Sequence, residues 1–196
     1  MISQKLLKEI DYIIKTTWKT CIKKDYLNDY VLREDSLKSC IYYHLRRKLS
    51  KILKENNLRI YTEYTFSNLS YRADIVIAKI SDKEVDYLKD AIENEKEDVV
   101  AIFELKYIAT SDRATVDWTN KDIEKIKDYI KIGKLKSQFY FCVIYEVECE
   151  RLNWMNKKAT NNWANGNVTE LNAGYINDSM KFEVHSYNNL NKELND

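Results

Sequence analysis

The chain has no proline and only three glycines, which leaves few points at which its backbone can hinge. A flexible linker between separate domains is therefore not expected, and 196 residues suit a single domain, 1–196. Cysteine is sparse too: Cys21, Cys40, Cys142 and Cys149 form no C-x-x-C pair, and His44 and His185 lie far apart. Such spacing disfavours a zinc site and a secreted disulfide framework. There is no P-loop, no G-x-G-x-x-G and no Ser/His/Asp set, so a transferase or small-molecule enzyme of those kinds has no support. Excess charge of one sign is also missing. Lys+Arg 32 against Asp+Glu 31 leaves a net charge of +1, so nucleic acid would have to be held by a local basic patch. The opening MISQKLLKEIDYIIKTTWK is interrupted by charge every few residues and reads as neither signal peptide nor membrane span. The expectation is a soluble, reduced, cytoplasmic protein with no membrane partner.

What is present suffices for a folded domain. Hydrophobic residues make up 44% and charged residues 32%, enough to fill a core and coat a surface. Residues 2–24 place Ile2, Leu6, Ile10, Ile13, Ile14, Trp18, Cys21 and Ile22 at helical spacing, an amphipathic helix that makes 1–30 an N-terminal helical arm. After a break near Asn28 and Asp29, Leu37, Ile41, Leu45, Leu49 and Leu53 predict a second helix, with Asp35 or Ser36 as N-cap. The period then changes to two. Strands are predicted at 58–66, 71–79, 99–108 and 138–148, with a last short one at 181–187. The strongly acidic stretch 81–98 reads as a solvated insertion with a helical turn around 85–92. A helix is predicted over 119–132, ending near Gly133, and a helix or ordered loop within the asparagine-rich 150–180. The expected architecture is α/β, three layers, with a central mixed sheet of four to five strands.

Charges interrupt two of the most apolar strands. In VVAIFELKYI, Glu104 and Lys106 are two residues apart and leave one face of the strand. In YRADIVIAK, Asp74 breaks a similar run. Burying such groups costs several kcal/mol unless something compensates. If the two strands pair antiparallel, Asp74 lies opposite Glu104, and two carboxylates so placed suit a hard cation such as Mg²⁺ or Mn²⁺.

Ala73-Asp74 followed by Glu104-Leu105-Lys106, in a strand–strand–helix–strand order, resembles the PD-(D/E)XK nuclease superfamily with its restriction-endonuclease-like fold. The resemblance covers roughly 30–150. It implies a Mg²⁺- or Mn²⁺-dependent endonuclease hydrolysing nucleic acid, DNA before RNA. Asp74 and Glu104 would hold the metal together with the main-chain carbonyl of Leu105, and Lys106 would assist the nucleophile. A helix-borne glutamate of the family would fall at Glu34, with Glu63 as competitor, and Lys121 and Lys125 are accessory candidates on the later helix. Ala73 stands where the family name has proline, and the long spacing from Asp74 to Glu104 requires 81–98 to be a hairpin insertion.

Plainer readings stand beside these. Glu104 and Lys106 could be a surface pair on a solvated face, and Glu34 could simply favour a helix N-terminus. Arg46, Arg47 and Lys51, in a basic run with Lys48, Lys54 and Arg59, are candidate phosphate contacts or a solvated face. The tyrosines Tyr42, Tyr43, Tyr61, Tyr64 and Tyr71 could stack on bases or only pack. His44 is expected to be a hydrogen-bonded core-edge residue, and Trp154 and Trp163 loop anchors. The rival function is an inactive nuclease-like module binding a protein or nucleic acid. A homodimer or a protein partner is compatible with either.

Overall fold

A computed structural model describes residues 2–81, 92, 95–110, 113–155, 163–164 and 166–190, with backbone only for 113–118. The chain is α/β: a six-stranded open mixed sheet with helices on both faces. The N-terminal periodic stretch forms α1 (Gln4–Thr17), a π-helical turn (Trp18–Ile22) and α2 (Lys23–Leu27) in one continuous rod. The next apolar stretch forms α3 (Glu34–Lys48) and a short α4 (Ser50–Glu55), divided at Leu49. Ser36 is not the N-cap; it sits one turn inside, where its Oγ accepts the backbone N–H groups of Leu32 and Arg33 at 2.9 and 3.0 Å.

The strands are β1 (Leu58–Thr65), β2 (Arg72–Lys79), β3 (Val99–Ile108), β4 (Gln138–Glu148), β5 (Val168–Ile176) and β6 (Ser179–Ser186). They lie in the sheet in chain order. The pairs β1–β2, β2–β3 and β5–β6 are antiparallel, whereas β3–β4 and β4–β5 are parallel. Parallel neighbours need a crossover. Between β3 and β4 it is α6 (Arg113–Lys131), while a single turn, α5 (Glu95–Asp98), leads into β3.

The sheet therefore has six strands where four to five are expected, and β5 occupies part of the stretch expected to be helix or loop. The reason is visible in VTELNAGYI. Glu170 and Asn172, both fully buried, make a central strand look polar. Their neighbours supply most of the bonds they need: Glu170 accepts the backbone N–H of Trp154 at 2.7 Å and of Met155 at 2.9 Å, and Asn172 donates to Leu152 O at 2.6 Å. The β5–β6 hairpin turns on Asn177 and Asp178, both at positive φ, as a tight two-residue hairpin requires.

Two cores lie either side of the sheet. On one face Ile75, Phe103, Leu105 and Cys142 meet Ile10, Ile14 and Trp18 of the N-terminal rod and Leu37, Ile41 and Leu45 of α3. The N-terminal helical segment is thus packed on the sheet. On the other face Val76, Ile102, Phe141 and Val143 meet Ile123, Ile126 and Tyr129 of α6. Most of the acidic insertion, including all of its expected helical turn at 85–92 but Ile92, lies outside the described residues. Its far end folds back: Glu95 accepts from Tyr64 Oη at 3.0 Å and from Ser67 N at 3.1 Å. Among the described residues no helix is long and apolar enough to cross a membrane.

Candidate active site

β2 and β3 pair antiparallel with Ile75 opposite Phe103, so one step further along the same register Asp74 comes opposite Glu104. The juxtaposition expected from the two interrupted strands is therefore present. Asp74 Oδ2 accepts the backbone N–H of Leu105 at 2.8 Å, and Oδ1 lies 2.9 Å from Lys38 Nζ. Glu104 is 1% exposed. Its Oε1 accepts from Tyr129 Oη at 2.8 Å and its Oε2 from Lys125 Nζ at 3.2 Å, both from α6. Lys106 Nζ lies 3.1 Å from Glu34 Oε2 at the start of α3 and 3.1 Å from Asp122 Oδ2 on α6. Lys125 also reaches Asp122 Oδ1 at 2.8 Å. Glu63 on β1 joins from the edge, paired with Lys38 and with Arg72.

Five elements thus contribute to one cluster, β1, β2 and β3 together with α3 and α6. Glu34, Glu63, Asp74, Glu104 and Asp122 face Lys38, Arg72, Lys106 and Lys125, five carboxylates against four cations. This is not the ordinary exposed pair of a solvated sheet face. Burial pushes the Glu104 carboxyl up to about 8; the Lys125 ammonium opposes that rise and the Asp74 charge adds to it. For Lys106, burial acts to lower its value, but the charges of Asp122 and Glu34 outweigh it and raise the ammonium above its ordinary range. Lys125 is raised in the same way, against its burial, by Glu104 and Asp122. The Glu63 carboxyl is held low, chiefly by its bond from Lys38. Glu63 also sits at φ 56°, where a side chain is strained, and it falls in the gap between the pairs Thr62–Ile75 and Tyr64–Ala73.

Of the residues named from sequence, the fold gathers Asp74, Glu104, Lys106, Glu34, Glu63 and Lys125. Glu34 and Glu63 do not compete for one position, because they hold different lysines. Lys121 is a correction: it is exposed, and the stripe of α6 that faces the site is Asp122, Lys125 and Tyr129. Lys38, Asp122 and Tyr129 have no counterpart in the sequence reading. The available signals were Lys38 one helical turn after Glu34, and the three-and-four spacing of Asp122, Lys125 and Tyr129. Arg46 and Arg47 donate to Tyr42 Oη and Tyr43 Oη, each at 3.0 Å, while Lys51 faces Glu55 at 3.8 Å on the open surface. His44 meets Asp25 at 2.7 Å, the core-edge role expected of it.

Among the described residues, no three His, Cys, Asp or Glu side chains form a group ready to hold a metal ion. Lysine ammonium groups stand where such a charge would be. The donor chemistry still suits a hard cation. Asp74 and Glu104 offer carboxylate oxygens from adjacent strands, and a divalent charge would relieve both the burial of Glu104 and its repulsion from Asp74. Comparisons with protein-family models, with curated proteins and with solved structures found no match to this chain.

Proposed function

We propose that this chain is a Mg²⁺- or Mn²⁺-dependent nuclease of the PD-(D/E)XK kind, hydrolysing phosphodiester bonds of nucleic acid. The observation that carries the reading is the buried carboxylate Glu104, set opposite Asp74 and two residues from a half-buried lysine, Lys106, gripped by two further carboxylates. Asp74 and Glu104 would hold the cation, with the Leu105 carbonyl as third protein donor. When bound, it would polarise the scissile phosphodiester and make water a better nucleophile. Glu104 would hold it as a carboxylate, with its proton released. Lys106 donates N–H to the attacking water and balances charge on the phosphoryl oxygens. Glu34 and Asp122 fix where that ammonium points. Tyr129, whose hydroxyl stays protonated because burial and the Glu104 charge push it far up, donates to Glu104 and holds its carboxylate plane.

The test is cleavage of labelled single- and double-stranded DNA and RNA with Mg²⁺ or Mn²⁺. Lys106→Ala is expected to lower the rate by roughly 100-fold or more, as loss of a transition-state donor does, and EDTA to abolish it. One observation favours a second reading, an inactive nuclease-like interaction module: the site's carboxylates are already nearly balanced by its own lysines. A folded wild-type chain that cleaves none of the four substrates would establish that alternative.

A further inference from the structure

A cleft of about 720 Å³ opens between α3, α4 and the sheet's edge strand β1. Tyr42, Arg46, Ser50, Lys54, Arg59 and Tyr61 line it, over a floor that includes Leu53 and Ile60. Among the described residues it carries three cations and no carboxylate, on a molecule whose net charge is only +1. The cations are interleaved with aromatic rings. Arg46 donates to Tyr42 Oη at 3.0 Å and its guanidinium lies 5.7 Å from the Tyr42 ring centre, so the pair is held ready before any ligand arrives. Arg59 is anchored through Leu58 O at 2.9 Å. The neighbouring hollow beside Lys24, Arg47 and Lys48 differs, because Asp25 lies in it, locked to His44.

The cleft points toward the carboxylate–lysine cluster. Lys38, Tyr42 and Arg46 follow one another at four-residue steps along one side of α3, so Lys38 and Arg46 are about 12 Å apart by helix rise. On β1, Tyr61 precedes Glu63 by two residues, and Glu63 and Asp74 both hold Lys38. A polymer lying in the cleft therefore reaches the cluster within a few repeat units.

We propose that this cleft is a track for a single strand of nucleic acid, its phosphates held by Arg46, Lys54 and Arg59 and its bases stacked on Tyr42 and Tyr61. The inference rests on the nuclease reading of the adjoining cluster and names the form of its substrate. Duplex bases have their faces covered by their neighbours, whereas a single strand offers them to tyrosine; cations following the backbone with rings between them are the mark of single-strand binding. The sugar is not distinguished by this chemistry, so DNA and RNA are arms of one test.

Fluorescence anisotropy with the full chain in EDTA, where turnover is blocked, separates the outcomes. The probes are a labelled deoxythymidine 12-mer, a uridine 12-mer and a DNA hairpin duplex. Binding of either single strand at least tenfold tighter than the duplex supports the track, and the tighter polymer names the sugar. The double variant Arg46→Ala, Arg59→Ala should weaken binding and reduce the slope of log K against log salt by about 1.4, two phosphate contacts at about 0.7 each. Tyr61→Leu should weaken it roughly tenfold with the slope unchanged. Equal binding of duplex and single strand, no binding of any probe, or a double variant indistinguishable from wild type would overturn the proposal. Wild-type binding without cleavage in Mg²⁺ or Mn²⁺ would instead remove the nuclease reading and leave the track standing.

Discussion

Glu104 shows what one buried carboxylate asks of its surroundings. Its strand is apolar on both sides, and the fold answers with a phenol and an ammonium from α6. That compensation is incomplete, since the carboxyl is still raised to about 8 from an ordinary 4.5. A native value above the unfolded one means that the folded state keeps a proton the unfolded chain has released. The resulting stability is full below about 4.5 and is lost as pH rises through about 8. Urea unfolding of the metal-free protein at several pH values should show this decline, and Glu104→Gln, which keeps the shape without titrating, should flatten it. A slope unchanged in the variant would place the titrating group elsewhere. Glu104 and Asp74 were legible from sequence because each breaks an apolar run. Lys38 and Asp122 were not, because a charged residue on an amphipathic helix looks the same whether it faces water or a buried partner.

At the scale of elements, the N-terminal rod is the clearest case of packing that periodicity alone does not place. The spacing of Ile10, Ile14, Trp18 and Ile22 makes a helix with one apolar side, but it is silent on what covers that side. Here it is the sheet: Trp18 is 1% exposed, lies against Phe182 of β6 and donates its indole N–H to Asn172 O of β5. Asp11, also buried, accepts from Tyr140 Oη at 2.8 Å, which ties α1 to β4. Trp18→Ala should therefore cost about 3–5 kcal/mol, as large-to-small core substitutions of aromatic residues do, read as a lower urea midpoint. A projecting arm would lose almost nothing. β5 fails in the opposite direction. Its polar residues hide a central strand, since Glu170 and Asn172 are tolerated there only through partners contributed by Trp154, Met155, Leu152 and Tyr187.

For the whole molecule, the near balance of charge recurs inside the candidate site, where Lys38, Lys106 and Lys125 neutralise most of the carboxylates. If the site takes a divalent cation as proposed, the ion would displace or reorient some of these ammonium groups, and its binding to the native state alone would raise stability. At Mn²⁺ near 100 times its dissociation constant the native state would gain about 2.7 kcal/mol, and a chain of this length should then melt roughly 5–10 °C higher. Asp74→Ala should remove the shift; an equal rise in both proteins would place the ion elsewhere. The sequence by itself determined the helix and strand periods, the mixed α/β class and the two interrupted strands, because each is a local pattern of apolar spacing. Only the tertiary structure decided that β5 is a strand, that α6 turns Asp122, Lys125 and Tyr129 rather than Lys121 toward Glu104, and that Arg46, Lys54 and Arg59 share one cleft with two tyrosines. Those outcomes depend on which faces meet across the sheet, and a residue's local spacing carries no record of its distant partner.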